Sequence, residues 1–199
     1  MKRMMALFSA SILLLTAGCS KVSLPGKTPN CMTGSFTAQV TLTTSEGDAG
    51  AILTRYGTSA WNVCFTEPAA LDGVELDFLD DEVKASYKGL EFSVPQSAQA
   101  LRTEFAELMT AIDGYALQSE LDTHSEDDLQ VCEGELDVGS FTLALTSDGV
   151  PVRFSLPAYG LEIGFDSFDA SEITTEAPTI PKTYPVTDAP TECLSEEPT

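Results

Sequence analysis

The sequence predicts a mainly β (α+β) fold, in which an antiparallel meander sheet carries one amphipathic helix over its apolar face. Three observations support this prediction. Apolar and polar residues alternate along most of residues 31–170, as is typical of strands with one buried face. Turn-forming residues separate these runs at short intervals. One internal segment instead repeats its apolar residues at spacings of three and four, which indicates a helix.

The strand pattern begins with Phe36, Ala38, Val40 and Leu42, which alternate with threonine and glutamine. Nine later runs repeat this alternation. Their apolar positions are Trp61, Val63 and Phe65; Val74, Leu76 and Phe78; Val83, Ala85 and Tyr87; Leu90, Phe92 and Val94; Leu129 and Val131; Leu136 and Val138; Phe141, Leu143 and Leu145; Val150, Val152, Phe154 and Leu156; and Leu161, Ile163 and Phe165. Short connections between such runs favour an antiparallel meander.

The helix is predicted over residues 97–112, between the two groups of strands. Its apolar stripe consists of Ala98, Leu101, Phe105, Leu108 and Ile112. The opposite side carries Arg102, Glu104 and Glu107, which we expect to face solvent, and Gly114 fits the end of the helix. Because one amphipathic helix must bury its stripe, we expect it to fold back over the apolar face of the sheet.

The N-terminus has the layout of a secretory signal, with two basic residues followed by an apolar run. That run is too short for a membrane-spanning helix, which needs about 20 apolar residues. The stretch Leu15-Thr16-Ala17-Gly18-Cys19 resembles the lipobox of bacterial lipoproteins, in which the cysteine thiol receives a diacylglyceryl group and becomes the mature N-terminus. We therefore predict a signal peptide over 1–18 and a lipidated Cys19, anchored stably by two acyl chains such as palmitate. An unmodified cysteine after an ordinary signal is the alternative.

Composition divides the remaining chain into three parts. Residues 19–30 are predicted to be the lipidated cysteine and a polar spacer, and residues 31–170 form one domain by length. Residues 171–199 contain five Pro, seven Thr and six acidic residues, which predicts a disordered tail. Cleavage of the signal would change the formal charge of −21 to −23, because the signal carries two basic residues and no acidic one. This acidity argues against a nucleic-acid partner.

The order of these features resembles a known family. The stretches AWNVCFTEPAALDGVELDF (60–78), EVKASYKGLEFSVP (82–95) and SDGVPVRFSLPAYGLEIGF (147–165), together with the lipobox, are similar to the outer-membrane lipoprotein carrier superfamily of the LolA and LppX type. The resemblance implies a strongly curved, unclosed half-barrel with the helix on its concave face, holding acyl chains or apolar surfaces between sheet and helix. This chain departs from the soluble carriers of that family by its own predicted lipid anchor, which makes shuttling between membranes an unexpected role.

The apolar residues predicted to face this space are the candidate ligand-binding residues. They are Trp61, Phe65, Phe78, Phe92, Leu101, Phe105, Leu108, Phe141, Phe154 and Phe165. An open apolar cavity would suit a lipid, because ligand sites are typically concave and mostly apolar. The alternative is a close-packed core in which these side chains contact one another.

No catalytic or metal-binding pattern is evident, so we expect neither an enzyme nor a cofactor or metal. The single histidine, His124, lies in a polar stretch that we interpret as a solvated loop, with no G-x-S-x-G or H-E-x-x-H motif. The acidic residues around it do not follow the spacing of a calcium-binding loop. They are Glu120, Asp122, Glu126, Asp127 and Asp128.

Four cysteines remain beside Cys19: Cys31, Cys64, Cys132 and Cys193. Export permits disulfides, and four cysteines allow three complete pairings. Alternation places Cys64 and Cys132 on the outer face of the sheet. A bond among the first three, a staple from Cys193 to the domain, and four reduced thiols all remain open, with a structural role favoured over a redox role because no C-x-x-C motif is present.

The sequence thus predicts a non-enzymatic lipoprotein, extracytoplasmic and anchored to the bacterial cell membrane by Cys19. Its expected function is to bind a lipid, an acyl chain or an apolar partner segment between sheet and helix. The alternative is a packed interaction or envelope-sensor domain that binds a protein partner through its outer face or its tail.

Overall fold

The computed structural model describes residues 25–45, 47–80, 82–92 and 99–171, together with Ala177. The predicted signal peptide, Cys19 and nearly all of the predicted tail, including Cys193, lie outside the described residues. The described residues contain one α-helix, α1, over Gln99–Tyr115. They also contain twelve strands: β1 Pro25–Pro29, β2 Phe36–Thr44, β3 Gly47–Gly57, β4 Ala60–Glu67, β5 Val74–Leu79, β6 Glu82–Tyr87, β7 Leu90–Phe92, β8 Glu120–Glu126, β9 Leu129–Leu136, β10 Gly139–Leu145, β11 Pro151–Leu156 and β12 Leu161–Asp169.

These strands form one antiparallel sheet in the order β1-β8-β9-β10-β11-β12-β2-β3-β4-β5-β6-β7. The two meanders β2–β7 and β8–β12 are joined where β12 pairs with β2. Among the described strands, β1 and β7 each have a single neighbour, so the sheet is open. Register shifts in the β3–β4, β10–β11 and β12–β2 pairs bend it. The mainly β half-barrel with one helix is therefore confirmed.

The core lies between α1 and the inner face of this sheet. Phe105 of α1 contacts Phe65 of β4, with ring centroids 5.9 Å apart. Tyr115 at the other end of α1 contacts Phe141 of β10 at 5.7 Å. The helix therefore bridges strands of both meanders, and its burial stabilises the joined sheet through the hydrophobic effect.

The strand β1 corrects the last part of the spacer predicted over 19–30, whose residues 19–24 lie outside the described residues. Residues from Pro25 onward pair with β8, and the Thr28 hydroxyl lies 2.8 Å from the Thr123 hydroxyl in a buried contact. The Asn30 amide donates to the Tyr115 and Gln118 carbonyls. Proline at both ends of this strand hid it in the sequence, because proline is tolerated on an edge strand but carries no strand signal.

The predicted polar loop around His124 is likewise wrong, because Glu120–Glu126 is the strand β8. Leu121 is fully buried on its inner face. Asp127 and Asp128 both have positive φ, of 44° and 69°, as expected for a tight hairpin turn to β9. The acidic residues of this region therefore belong to a hairpin with a wet outer face.

Two further differences concern β3 and α1. The strand β3 was missed, because its buried positions include the small Ala49 and Ala51 and the charged Arg55. The helix extends through Gly114 to Tyr115. Glu104, expected on its solvent face, is buried, because the concave sheet flanks the helix more widely than the predicted stripe.

Cys132 lies on the core face and not on the outer face. It is 2% exposed and pairs in register with the buried Leu143 of β10. The continuous strand β9 gives Leu136 the same orientation as Cys132, so Val131 points to the opposite face. The alternation from Leu129 to Val131 therefore predicted the wrong face. Cys64 lies on the outer face, beside Ile52 of β3, as predicted.

Candidate functional site

The candidate site is a cleft of about 580 Å³ between one side of α1 and the strands β4–β6. Its volume lies within the range of about 300–1,000 Å³ that is typical of ligand pockets. Its lining residues are Ser59, Trp61, Phe78, Asp80, Val83, Arg102, Thr103, Ala106, Met109, Thr110 and Asp113.

The apolar sheet wall of the cleft follows from strand register. Trp61 of β4 pairs with Phe78 of β5, and Phe78 pairs with Val83 of β6. Directly paired residues point to the same face, so the three side chains form a row across neighbouring strands. Trp61 and Phe78 are buried and Val83 is half-buried. The row gives the cleft an apolar floor.

The helix wall is a second stripe of α1, beside the one that enters the core. Arg102, Ala106, Met109 and Asp113 recur at spacings of four, three and four and therefore share one side of the helix. At 1.5 Å per residue, Arg102 and Asp113 are separated by about 16 Å along the axis. The stripe thus has an apolar middle and a charged residue at each end.

A hydrogen-bonded hub closes the Asp113 end. Arg55 of β3 donates from Nε to Asp113 Oδ1 at 2.8 Å and from Nη1 to the Gly34 carbonyl at 2.7 Å. Asp113 Oδ2 accepts from the Ser59 amide at 2.9 Å and from Trp61 Nε1 at 3.1 Å. The Arg55 guanidinium also lies over the Trp61 ring, 5.6 Å from its centroid. The hub neutralises Asp113 and fixes Trp61 in the cleft wall.

The Arg102 end is less enclosed by polar contacts. Arg102 is half-buried, and among the described residues it makes no salt bridge and no hydrogen bond. The other acidic residue of the lining, Asp80, is exposed and belongs to the opposite end, because its amide donates to the Ser59 carbonyl at 2.9 Å. Positive and negative charge are therefore separated along the cleft.

The inner face of the sheet continues beyond the cleft as an exposed apolar edge, which we define as Tyr87, Leu90 and Phe92. Tyr87 pairs with Val74 on one side and with Leu90 on the other, and Phe92 pairs with the buried Ala85, so all three side chains lie on the concave face. Tyr87, Leu90 and Phe92 are 37%, 72% and 37% exposed. A cluster of exposed, large apolar side chains is typical of a ligand-binding or protein-interaction surface.

The predicted ligand-binding residues divide into three groups in the structure. Only Trp61 and Phe78 line the cleft, and Phe92 lies on the exposed apolar edge. The remaining residues lie in the packed core or against it: Phe65, Leu101, Phe105, Leu108, Phe141, Phe154 and Phe165. For most of the predicted set, the close-packed alternative describes the structure. The cleft lies beside this core.

Sequence reasoning missed the helix side of the cleft. The predicted ligand-binding residues do not include Ala106 and Met109, and the predicted helix places Arg102 toward solvent. One signal in the sequence was the spacing of Arg102, Ala106, Met109 and Asp113, which places them on one side of the helix. Which side of the helix faces a cleft depends on how the helix packs against the sheet.

A second cavity of about 290 Å³ is lined by Thr44, Ser45, Ala100, Thr103, Glu104 and Tyr159.

The residues that the sequence analysis weighed for catalysis or metal binding lie apart from the cleft. His124 is half-buried on the outer face of β8, with Nε2 3.9 Å from Glu126 Oε2. Within the described ranges, no group of three or more His, Cys, Asp and Glu residues is arranged to hold a metal ion. In the same ranges, no helix combines the length and apolarity needed to cross a bilayer.

The three cysteines that the structure describes are free thiols. The Cys31 thiol donates to the Asp148 carbonyl at 3.3 Å, and the Cys132 thiol donates to the Leu143 carbonyl at 3.4 Å. Burial raises the pKa of Cys132 from its ordinary value of 9.0 to about 11. Cys64 and Cys132 lie on opposite faces of the sheet, so no disulfide joins them. A staple from Cys193 stays a prediction.

Comparison with known proteins gives structural similarity only. The sequence matches no family model and no curated protein. It is similar to the crystal structure of an uncharacterized conserved protein from Thermus thermophilus, with 15% identity and a TM-score of 0.39, over 72% of this chain and 83% of that chain. It is also similar to a LolA superfamily protein from Nitrosomonas europaea, with 11% identity and a TM-score of 0.35, over 71% of this chain and 88% of that chain. Similarity at this level carries no inference about function.

Proposed function

We propose that this protein is a non-enzymatic extracytoplasmic lipoprotein that holds the apolar chain of a lipid or lipidated molecule in the cleft between α1 and β4–β6. The observation that carries the proposal is the continuity of the apolar floor, formed by Trp61, Phe78 and Val83, with the sheet face that bears the exposed apolar edge. An acyl chain that lies along this face would remove apolar surface of the cleft floor and of the exposed apolar edge from water.

The energetics favour such an occupant. Burying apolar surface contributes about 25 cal/mol per Å². Leu90 is 72% exposed, and it lies on the concave face, where its neighbours are also apolar. The cleft walls include Ala106 and Met109, whose side chains carry no charge and pack adaptably against a flexible chain. An acyl chain, which has no polar groups to satisfy, would pack against these two side chains and the apolar floor.

The location follows from the lipobox resemblance around Cys19. A diacylated N-terminal cysteine would hold the domain at a membrane surface, where amphiphiles are concentrated. Cells grown with an alkyne-bearing fatty acid should label the wild-type chain at this residue. The variant Cys19→Ala should lose the label and appear in the soluble fraction. Equal labelling of both chains would exclude lipidation at Cys19.

The binding proposal can be tested through the fluorescence of Trp61. It is the only tryptophan of the chain and it lines the cleft. A fatty acid brominated along its chain quenches tryptophan on contact, so we expect saturable quenching in the full chain carrying Cys19→Ser. Ala106→Phe fills the cleft from its helix wall and should lower the apparent affinity for the brominated fatty acid at least tenfold.

The matched control is Ala100→Phe, which adds the same side chain at an exposed position of α1 outside the cleft lining. It should quench like the parent. Circular dichroism and thermal melting would establish that both variants fold. Quenching that does not saturate, or that Ala106→Phe leaves unchanged in a folded protein, would contradict binding in this cleft.

A further inference from the structure

Arg102 is an unusual cation in this chain. The protein has 31 acidic residues against 10 lysines and arginines, and several of the described cations have partners. Lys27 pairs with Asp122, Arg55 with Asp113 and Lys84 with Glu91, while Lys88 lies over the Tyr87 ring. Two described cations, Arg102 and Arg153, have no such partner among the described residues. Arg153 is exposed, whereas Arg102 is half-buried and lines the cleft.

Helix stability does not account for Arg102 either. It lies in the first turn of α1, which contains no acidic residue. The helix dipole makes this end of a helix unfavourable for a cation and favourable for an anion. Partial burial of an unpaired guanidinium also costs solvation free energy. A ligand anion at this position would offset both costs.

The remaining charges of the cleft leave the Arg102 end positive. Asp113, about 16 Å away along the helix, is neutralised by Arg55. Asp80 lies at the Asp113 end through its contact with Ser59. Between the two ends the helix wall consists of Ala106 and Met109, flanked by Thr103 and Thr110, opposite the apolar floor. The cleft thus has a cationic end followed by an apolar floor, which together complement an anionic amphiphile.

We propose that Arg102 makes the cleft selective for single-chain amphiphiles with an anionic head, such as a fatty acid or an alkyl phosphate. The guanidinium presents a planar set of donors that matches a carboxylate or a phosphate in a bidentate pair. This inference rests on the proposed function, since the apolar chain supplies the anchorage and Arg102 selects the head.

The test compares different head groups on the same twelve-carbon chain of the ligand. The full chain carrying Cys19→Ser is titrated with dodecanoate, dodecyl phosphate and the neutral monododecanoyl glycerol, with Trp61 emission as the readout. Acetate and inorganic phosphate are added separately as heads without a chain. We expect both anionic amphiphiles to bind about tenfold or more tightly than the neutral one, as one charge-assisted hydrogen-bonded pair allows. Acetate and phosphate should not change the emission.

Two variants assign the selectivity. Arg102→Gln should reduce the difference between anionic and neutral heads to less than twofold, because the two anionic amphiphiles lose their partner. Arg102→Lys, which keeps the charge but loses the planar fork, should give an intermediate preference. The matched control is Arg153→Gln, on an exposed position of β11, which should bind like the parent.

The outcomes separate the two proposals. Equal affinity for anionic and neutral heads in the parent protein would overturn the role of Arg102 and leave the chain-binding cleft standing. A preference that persists in a folded Arg102→Gln variant would overturn it as well. The proposed function itself would be overturned if none of the three amphiphiles changed the Trp61 emission. It would also be overturned if acetate and inorganic phosphate changed the emission as much as the amphiphiles do.

Discussion

The hub at Asp113 yields a quantitative prediction about stability. Replacing Asp113 by alanine leaves Arg55 with its charge buried, because the Arg55 side chain is only 3% exposed. It also removes the acceptor of the Ser59 amide and of Trp61 Nε1. Removing one partner of a buried ion pair typically costs about 3–5 kcal/mol. We therefore expect Asp113→Ala to lower the free energy of unfolding by about this amount.

Urea unfolding at pH 7, followed by circular dichroism, measures this change. Replacing both partners, as in Arg55→Met with Asp113→Leu, should cost less than Asp113→Ala alone, because no buried charge is left unpaired. The solvent-exposed pair of Lys27 and Asp122 provides the control, and Asp122→Ala should leave the unfolding midpoint nearly unchanged. A loss below about 1 kcal/mol for Asp113→Ala would refute the assignment of the hub as a buried pair.

The remaining predictions concern β1 and the buried thiol. Gly149 has a φ of +84°, and a Cβ there would lie 1.9 Å from the Pro29 carbonyl oxygen, so Gly149→Ala should destabilise the protein by about 1–3 kcal/mol in urea unfolding and expose β1 to proteolysis. Gly34→Ala, where a Cβ meets no atom within 4 Å, is the neutral control, and equal behaviour of both variants would contradict the contact. In the folded protein at pH 8, iodoacetamide should modify Cys31 well before Cys132, as mass spectrometry would show. Because the pKa of Cys132 is about 11 in the folded state against an ordinary 9.0, its thiol contributes stability that is present below pH 9 and lost as the pH rises toward 11. A Cys132→Ala variant should lose less stability over that interval, and an equal loss would contradict this origin.

The sequence predicted the elements whose buried positions are large and apolar. The strand β2 and the helix α1 were recognised because phenylalanine, leucine and valine recur at the right period. The strand β3 escaped because two of its inward side chains are alanines and a third is Arg55, whose partner Asp113 is 58 residues away in the chain. The strand β8 escaped because an acidic outer face masks the buried Leu121.

The candidate site was harder to predict for a physical reason. A period of two or 3.6 identifies which residues share a face, but it does not show whether that face is packed or open. Phe65 and Phe154 are buried, whereas Phe92 is exposed, although all three lie on the inner face of the sheet. The difference depends on how far one helix can cover the curved sheet. Arg102 became a site residue only through the position of α1 within the concavity.

Native mass spectrometry tests the central claim most directly. The full chain carrying Cys19→Ser would be purified from cells and weighed before and after mild organic extraction, then again after separate incubations with dodecanoate, phospholipids and an acylated peptide. We expect a reproducible additional mass that disappears on extraction and returns on incubation. A mass that equals the polypeptide alone in every sample would contradict an apolar binding cleft and favour a packed domain that interacts through its outer face or tail.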